Sequence, residues 1–170
     1  MTTAEDVHEL LDALDAAGVE TWIDGGWGVD ALVGEQTREH DDLDVVIRRD
    51  RVDAALAALA ETGFAVEEDW LPVRCSLLDA SGRGVDFHPV TFERDGSAWQ
   101  AAPDGGRFAY PREGFEGRGT IGGRPVRCLS AAVQLLHHQG YEPSGKDRHD
   151  VALLREFAAR QESQIYDQNR

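Results

Sequence analysis

The stretch 42–47, Asp-Leu-Asp-Val-Val-Ile, constrains this chain more than any other. Its apolar, mostly β-branched residues, 43–47, read as a strand. Successive side chains on a strand point to opposite faces, so Asp42 and Asp44 share one face while Leu43 and Val45 pack behind the other. Two neighbouring carboxylates repel, and one protonates unless a cation lies between them. A hard divalent cation with oxygen ligands answers that, and magnesium with phosphate is the usual case. Asp-Leu-Asp is a common tripeptide, so the context decides.

Upstream, a helix is expected over 4–17 and a short strand over 19–23. The turn Asp24-Gly25-Gly26-Trp27 then opens a helix over 28–33. Glycine lets a backbone approach a ligand closely, and a helix N-terminus offers free N–H groups to an anion. The polar loop 35–41 carries Arg38 and His40, either of which could hold a phosphate oxygen. Downstream, Asp50 is placed to cap a helix over 51–62. Strands follow at 64–70, 73–79 and 84–91, the last two joined by a hairpin loop at 80–84. In Gly84-Val85-Asp86-Phe87-His88, Asp86 and His88 share a strand face, and strands disfavour Asp. Asp86 is thus a third acid that could help to hold metal and accept a proton from an attacking hydroxyl.

The stretch 92–119 is rich in Gly, Asp, Arg and Pro and reads as loops with one or two short strands. A last strand is expected at 124–129. Ser130 is placed to cap a helix over 131–139, and a final helix runs over 146–159, followed by a polar tail expected to fray. The order of elements implies an α/β (α+β) fold with a mixed sheet and a C-terminal helical portion. We divide it as 1–120, catalytic, and 121–170, helical and packed on it.

The 170 residues hold 32 Asp and Glu against 17 Lys and Arg, a net charge of −15. Such a field repels polyanions and attracts cations. It argues against a nucleic-acid partner, which would need several Lys or Arg contacts to phosphate. The N-terminus lacks a secretion pattern, no apolar run reaches the ~20 residues of a membrane span, and Cys75 and Cys128 show no metal spacing. The expectation is a cytoplasmic protein with reduced thiols.

Taken together, Gly25-Gly26, Asp42-Leu43-Asp44 and Asp86 resemble the catalytic signature of the DNA polymerase β-like nucleotidyltransferases. The filling, Asp-Gly-Gly-Trp-Gly-Val-Asp over 24–30 with Gly34, Arg38 and His40, is similar to the small antibiotic nucleotidyltransferases: the lincosamide enzymes and the aminoglycoside 2″-O-nucleotidyltransferases. Residues 70–74, Asp86-Phe87-His88-Pro89, the 100–106 stretch and His138-Gln139-Gly140-Tyr141 look more like the lincosamide branch. The resemblance implies transfer of AMP from ATP to an antibiotic hydroxyl, with pyrophosphate released. It implies two Mg²⁺ ions held by Asp42, Asp44 and Asp86, with Asp86 as general base. Gly25, Gly26, Arg38 and His40 would meet the nucleotide, and Trp70, Arg74, His88 and Tyr141 would wall the acceptor, a small cationic antibiotic. Related enzymes pair as dimers, so a homodimer is expected. The alternatives are an aminoglycoside acceptor and an antitoxin-type enzyme that modifies a protein partner.

Overall fold

A computed structural model describes residues 1–168. The first helix, α1 (Ala4–Ala16), begins at a capping box. The Thr3 hydroxyl accepts from the Asp6 amide at 3.2 Å, and the Asp6 carboxylate accepts from the Thr3 amide at 2.8 Å. Val7, Leu10, Leu11 and Leu14 recur at helical spacing, and all four are buried. Next come β1 (Thr21–Ile23), α2 (Gly25–Val33) and β2 (Asp42–Arg48). Helix α2 starts at Gly25, three residues before the expected start, so both glycines belong to its first turn rather than to a turn ahead of it.

A 3-10 turn (Arg49–Arg51) leads into α3 (Val52–Glu61). Asp50 does not cap α3. Its two carboxylate oxygens are taken by Arg48, at 3.0 and 2.9 Å, because a bidentate guanidinium outcompetes a single amide. Strands β3 (Phe64–Trp70), β4 (Arg74–Asp79) and β5 (Gly84–Phe92) follow as expected. The 92–119 stretch resolves into β6 (Ala98–Ala101), β7 (Arg107–Tyr110), a 3-10 turn (Arg112–Glu116) and β8 (Arg118–Ile121). Then come β9 (Arg124–Arg127), α4 (Ala131–His137) and α5 (Gly145–Gln168). Ser130 occupies the cap position of α4 without a side-chain bond. The tail expected to fray continues α5 to Gln168; its last two residues lie outside the described ones.

The main sheet runs β1-β2-β5-β4-β3, with β6 on the far half of β5 and β7 beside β6. Among the described residues of this sheet, only β2 and β5 pair in parallel, so the sheet is mixed. Their register sets Asp44 directly opposite Asp86 and Val46 opposite His88. One face of the sheet buries Leu43, Val45, Ile47, Val85 and Phe87 beneath α1 and α3, and full burial of each contributes about 1.5–3 kcal/mol. The other face carries a second cluster around Trp22, Val46, Val90, Tyr110 and Phe115. The acids extend that second face at the Asp42 end of β2. Strands β8 and β9 form a separate hairpin that packs on α2, as do α4 and α5. Residue 120, the division expected from the sequence, falls within β8. Among the described residues, no helix is long and apolar enough to cross a membrane. Cys75 and Cys128 are both free and buried.

Candidate active site

The local sequence explains why two carboxylates stand at the mouth of β2. Leu43, Val45 and Ile47 anchor the strand in the core, and the alternation then leaves Asp42 exposed and Asp44 half-buried. Asp86 joins them through the parallel register. The crowding has an electrostatic consequence. Although Asp42 as a residue is exposed, desolvation of its carboxyl among neighbouring groups, reinforced by the charges of Asp44, Asp86 and Asp41, pushes it up to about 6.

The cations that meet these acids come from neighbouring strands. His88 Nε2 donates to Asp44 Oδ1 at 2.9 Å. Arg74 donates to Asp86 at 3.2 Å and to Glu68 at 2.8 Å, and its guanidinium lies 5.7 Å from the Trp70 ring centre. Burial disfavours a charge on His88, yet Asp44, Asp24 and Asp86 outweigh it and raise its pKa. Behind His88 a chain of bonds fixes the ring. Gln100 Nε2 approaches His88 Nδ1 at 3.3 Å and donates to the Val73 carbonyl at 2.7 Å, while Tyr110 donates to Gln100 Oε1 at 2.6 Å.

The glycine turn closes the site from the other side. Asp24 N–H donates to the Asp44 carbonyl at 3.0 Å. Gly25 has φ +58°, and a Cβ there would lie 2.2 Å from Asp44 Oδ2. Gly26 is packed just as tightly: a Cβ would meet an Arg38 nitrogen at 2.3 Å and His40 Nδ1 at 2.5 Å. Only glycine therefore lets the first turn of α2 sit against the acids.

Arg38 and His40 both reach this turn, but each already has a partner. Arg38 grips Asp150 of α5 through two bonds, at 3.0 and 2.7 Å. His40 is 2% exposed, with Nε2 on Asp30 at 2.5 Å and its ring 4.5 Å from that of Trp27. Thr37 holds the other Asp30 oxygen at 2.6 Å. Such a buried pair fixes the ring against the turn. Lys146 pairs with Asp41 at 2.9 Å, and His149 meets the Thr37 hydroxyl at 3.0 Å. This end of α5 thus borders the acids.

Beside them opens a cavity of about 610 Å³. Trp70, Phe108 and Leu136 supply apolar wall, and Arg74 and His88 line it as well. Tyr141 does not line it; its hydroxyl donates to Asp147 at 3.0 Å between α4 and α5. Asp24, Gln100, Tyr110 and His137 also face the cavity, and the sequence assigns none of them a role there. Asp24 carries the clearest signal, since it immediately precedes the double glycine. Burial pushes its carboxyl up, while His88, His137 and the Gly25 amide favour its charged form.

Among the described residues, no three of His, Cys, Asp and Glu form a ready-made metal cage. The donor set nevertheless fits a hard divalent ion. Three carboxylates lie on the paired strands β2 and β5, and the crowding that lifts Asp42 is what such an ion would relieve.

A family model described as aminoglycoside-2″-adenylyltransferase matches residues 6–154. A lincosamide resistance protein of Staphylococcus haemolyticus is 33% identical over 153 residues, covering 90% of this chain and 94% of that protein. A 2″-aminoglycoside nucleotidyltransferase of Klebsiella pneumoniae is 32% identical over 124 residues, covering 73% of this chain and 66% of that protein. Among solved structures, the lincomycin-bound lincosamide antibiotic adenylyltransferase LnuA superposes with a TM-score of 0.82 at 33% identity, over 92% of this chain and 98% of that one. The solution structure of the antibiotic-resistance factor ANT(2″)-Ia shares the fold, with a TM-score of 0.71 at 22% identity, over 98% of this chain and 94% of that one. With the family model matched over residues 6–154 and a 33% identical relative covering 90% of the chain, the protein belongs to the aminoglycoside-2″-adenylyltransferase family of nucleotidyltransferases.

Proposed function

We propose that the protein transfers AMP from ATP to a hydroxyl of a lincosamide antibiotic and releases pyrophosphate. The observation that carries this reading is the parallel register that sets Asp44 opposite Asp86, next to Asp42 and at the edge of an apolar cavity. Its volume of about 610 Å³ falls in the range of small-molecule sites, ~300–1,000 Å³, and so favours an antibiotic over a protein partner. The lincosamide acceptor is supported by the Staphylococcus relative and by the likeness to a structure solved with lincomycin. The family description favours an aminoglycoside as the second reading. Both classes carry protonated amines, which a net charge of −15 attracts.

Two Mg²⁺ ions would be held by Asp42, Asp44 and Asp86. Such ions would supply positive charge to the attacking and leaving oxygens. The chain's own residues do the rest. The first-turn amides of α2, at Gly25 and Gly26, have no partner within the helix and would meet the β- and γ-phosphates. Arg38, held at this turn by Asp150, would pair with a phosphate oxygen, and His40 would hold the turn from beneath. Asp86 would accept the proton of the acceptor hydroxyl as its oxygen bonds to the α-phosphorus and the bond to pyrophosphate breaks. Arg74 keeps the Asp86 carboxylate in place, and Trp70, Arg74 and His88 wall the acceptor. Supply of ATP places the work in the cytoplasm. We expect a homodimer, which size-exclusion chromatography with light scattering would check.

The test is direct. Purified protein with ATP, Mg²⁺ and a panel of lincosamides and aminoglycosides should add one AMP to lincomycin or clindamycin, read by mass spectrometry with stoichiometric pyrophosphate. No adduct and no pyrophosphate across the panel would overturn the proposal.

A further inference from the structure

Asp24 is the one acid among the residues that line the cavity beside the three carboxylates. Its position couples the two spaces. Its amide is bonded to the Asp44 carbonyl, and the next residue, Gly25, is pressed against the Asp44 carboxylate. Any acceptor group that touches Asp24 is therefore a close neighbour of the group presented to Asp44 and Asp86.

The role of Asp24 is not explained by the fold. It occupies the cap position of α2, but its side chain makes no capping bond. Among the described residues, it forms no hydrogen bond to another side chain. The polar groups around it are occupied elsewhere. His88 serves Asp44, Gln100 serves the Val73 carbonyl and Tyr110, and His137 meets the Ala109 carbonyl at 3.1 Å. A half-buried carboxylate facing an apolar cavity costs free energy unless something donates to it. Beyond the adjacent Gly25 amide, a ligand donor is the remaining partner.

The ring chemistry of the proposed acceptors supplies such donors. A sugar hydroxyl that reacts at Asp86 has a second polar substituent on the adjacent carbon. We propose that Asp24 accepts a hydrogen bond from the hydroxyl vicinal to the one that receives the nucleotide, and so fixes which hydroxyl is presented to Asp86. This rests on the acceptor reading above. It makes Asp24 a specificity-determining residue at the seam of the acceptor cavity and the acids. A carboxylate suits the role better than an amide because its hydrogen bonds are roughly twice as strong as neutral ones.

The experiment compares wild type and Asp24→Asn on the acceptor that is modified and on its analogue deoxygenated at the vicinal position. Wild type should lose about tenfold in kcat/KM on the deoxy analogue, as expected for a charge-assisted bond. Asp24→Asn should raise acceptor KM by about the same factor, leave ATP KM unchanged, and abolish the preference between the two acceptors. Mass spectrometry and NMR of the product should show AMP at more than one hydroxyl in the variant. The wild-type comparison stands even if the variant folds poorly. Equal wild-type kcat/KM on both acceptors overturns the assignment, as does an Asp24→Asn variant with unchanged KM and unchanged preference. A variant whose KM rises equally for both acceptors also overturns it, because Asp24 would then read another group, such as the amine. A wild type that modifies no acceptor refutes the functional reading itself.

Discussion

Replacing Gly25 by alanine puts a methyl carbon 2.2 Å from Asp44 Oδ2 and 2.9 Å from its carboxyl carbon. Neither side can yield cheaply. Gly25 has φ +58°, a conformation that costs an L-residue about 1–2 kcal/mol. In a domain of this size that strain alone lowers Tm by about 2–8 °C. Relief of the collision requires Asp44 to move by roughly 1 Å, a misplacement that costs on the order of 10²-fold in rate. Gly63→Ala is the control: its φ is +92°, and nothing lies within 4 Å of the added carbon. Steady-state pyrophosphate release and thermal melts should then separate strain from collision. Both variants should lose thermal stability, while only Gly25→Ala should lose about 10²-fold in kcat. A Gly25→Ala enzyme within about threefold of wild type would refute the claim that this glycine protects the position of Asp44.

Two further outcomes follow from other ion pairs. Asp150→Asn should destabilise the protein by about 2 kcal/mol in urea titrations, less than the ~3–5 kcal/mol of a fully buried pair because Arg38 is 20% exposed, and should raise ATP KM severalfold; an unchanged midpoint would show that the pair contributes nothing. Asp79 gives a pH signature. Burial alone would push its carboxyl up, but the amides of Arg83 and Ser81, the Arg83 guanidinium and the Ser81 hydroxyl hold it well below 3.8. Its folded pKa lies below its unfolded one, so its contribution is complete above the unfolded value and fades as the pH falls through the folded one. The Tm gap between wild type and Asp79→Asn should accordingly be constant near neutrality and close below pH 3.8; a gap that widens in acid would reverse the sign of this argument.

What the sequence made legible was local. The alternation of 42–47 gave Asp42 and Asp44 a common face, and the 84–91 pattern put Asp86 and His88 on another; the two strands are indeed neighbours. Their parallel register, which juxtaposes Asp44 and Asp86, depends on a crossover through α3, β3 and β4 that no local pattern encodes. Arg38 and His40 stand out as polar residues on a loop, but their partners are distant in sequence or in a preceding helix. Asp150 lies on α5 and Asp30 on α2, so neither engagement could be read from the loop alone. Gln100 and Tyr110 lie in a stretch that reads mostly as loop, until β6 and β7 fold against β5 and bring them to His88. Asp50 shows the opposite failure: a good capping residue in a capping position, drawn away by a better partner two residues earlier.

The central claim is that Asp42, Asp44 and Asp86 are the seat of nucleotidyl transfer. Turnover of Asp44→Asn tests it most directly, with lincomycin, ATP and Mg²⁺ at concentrations saturating for wild type. The substitution keeps the shape of the side chain and removes one carboxylate charge from the strand. A folded variant with a cooperative melt like that of wild type and at least about 10³-fold lower turnover would support the account, since an electrostatic group of this kind contributes on that order. A folded variant that adenylylates lincomycin at the wild-type rate would contradict it.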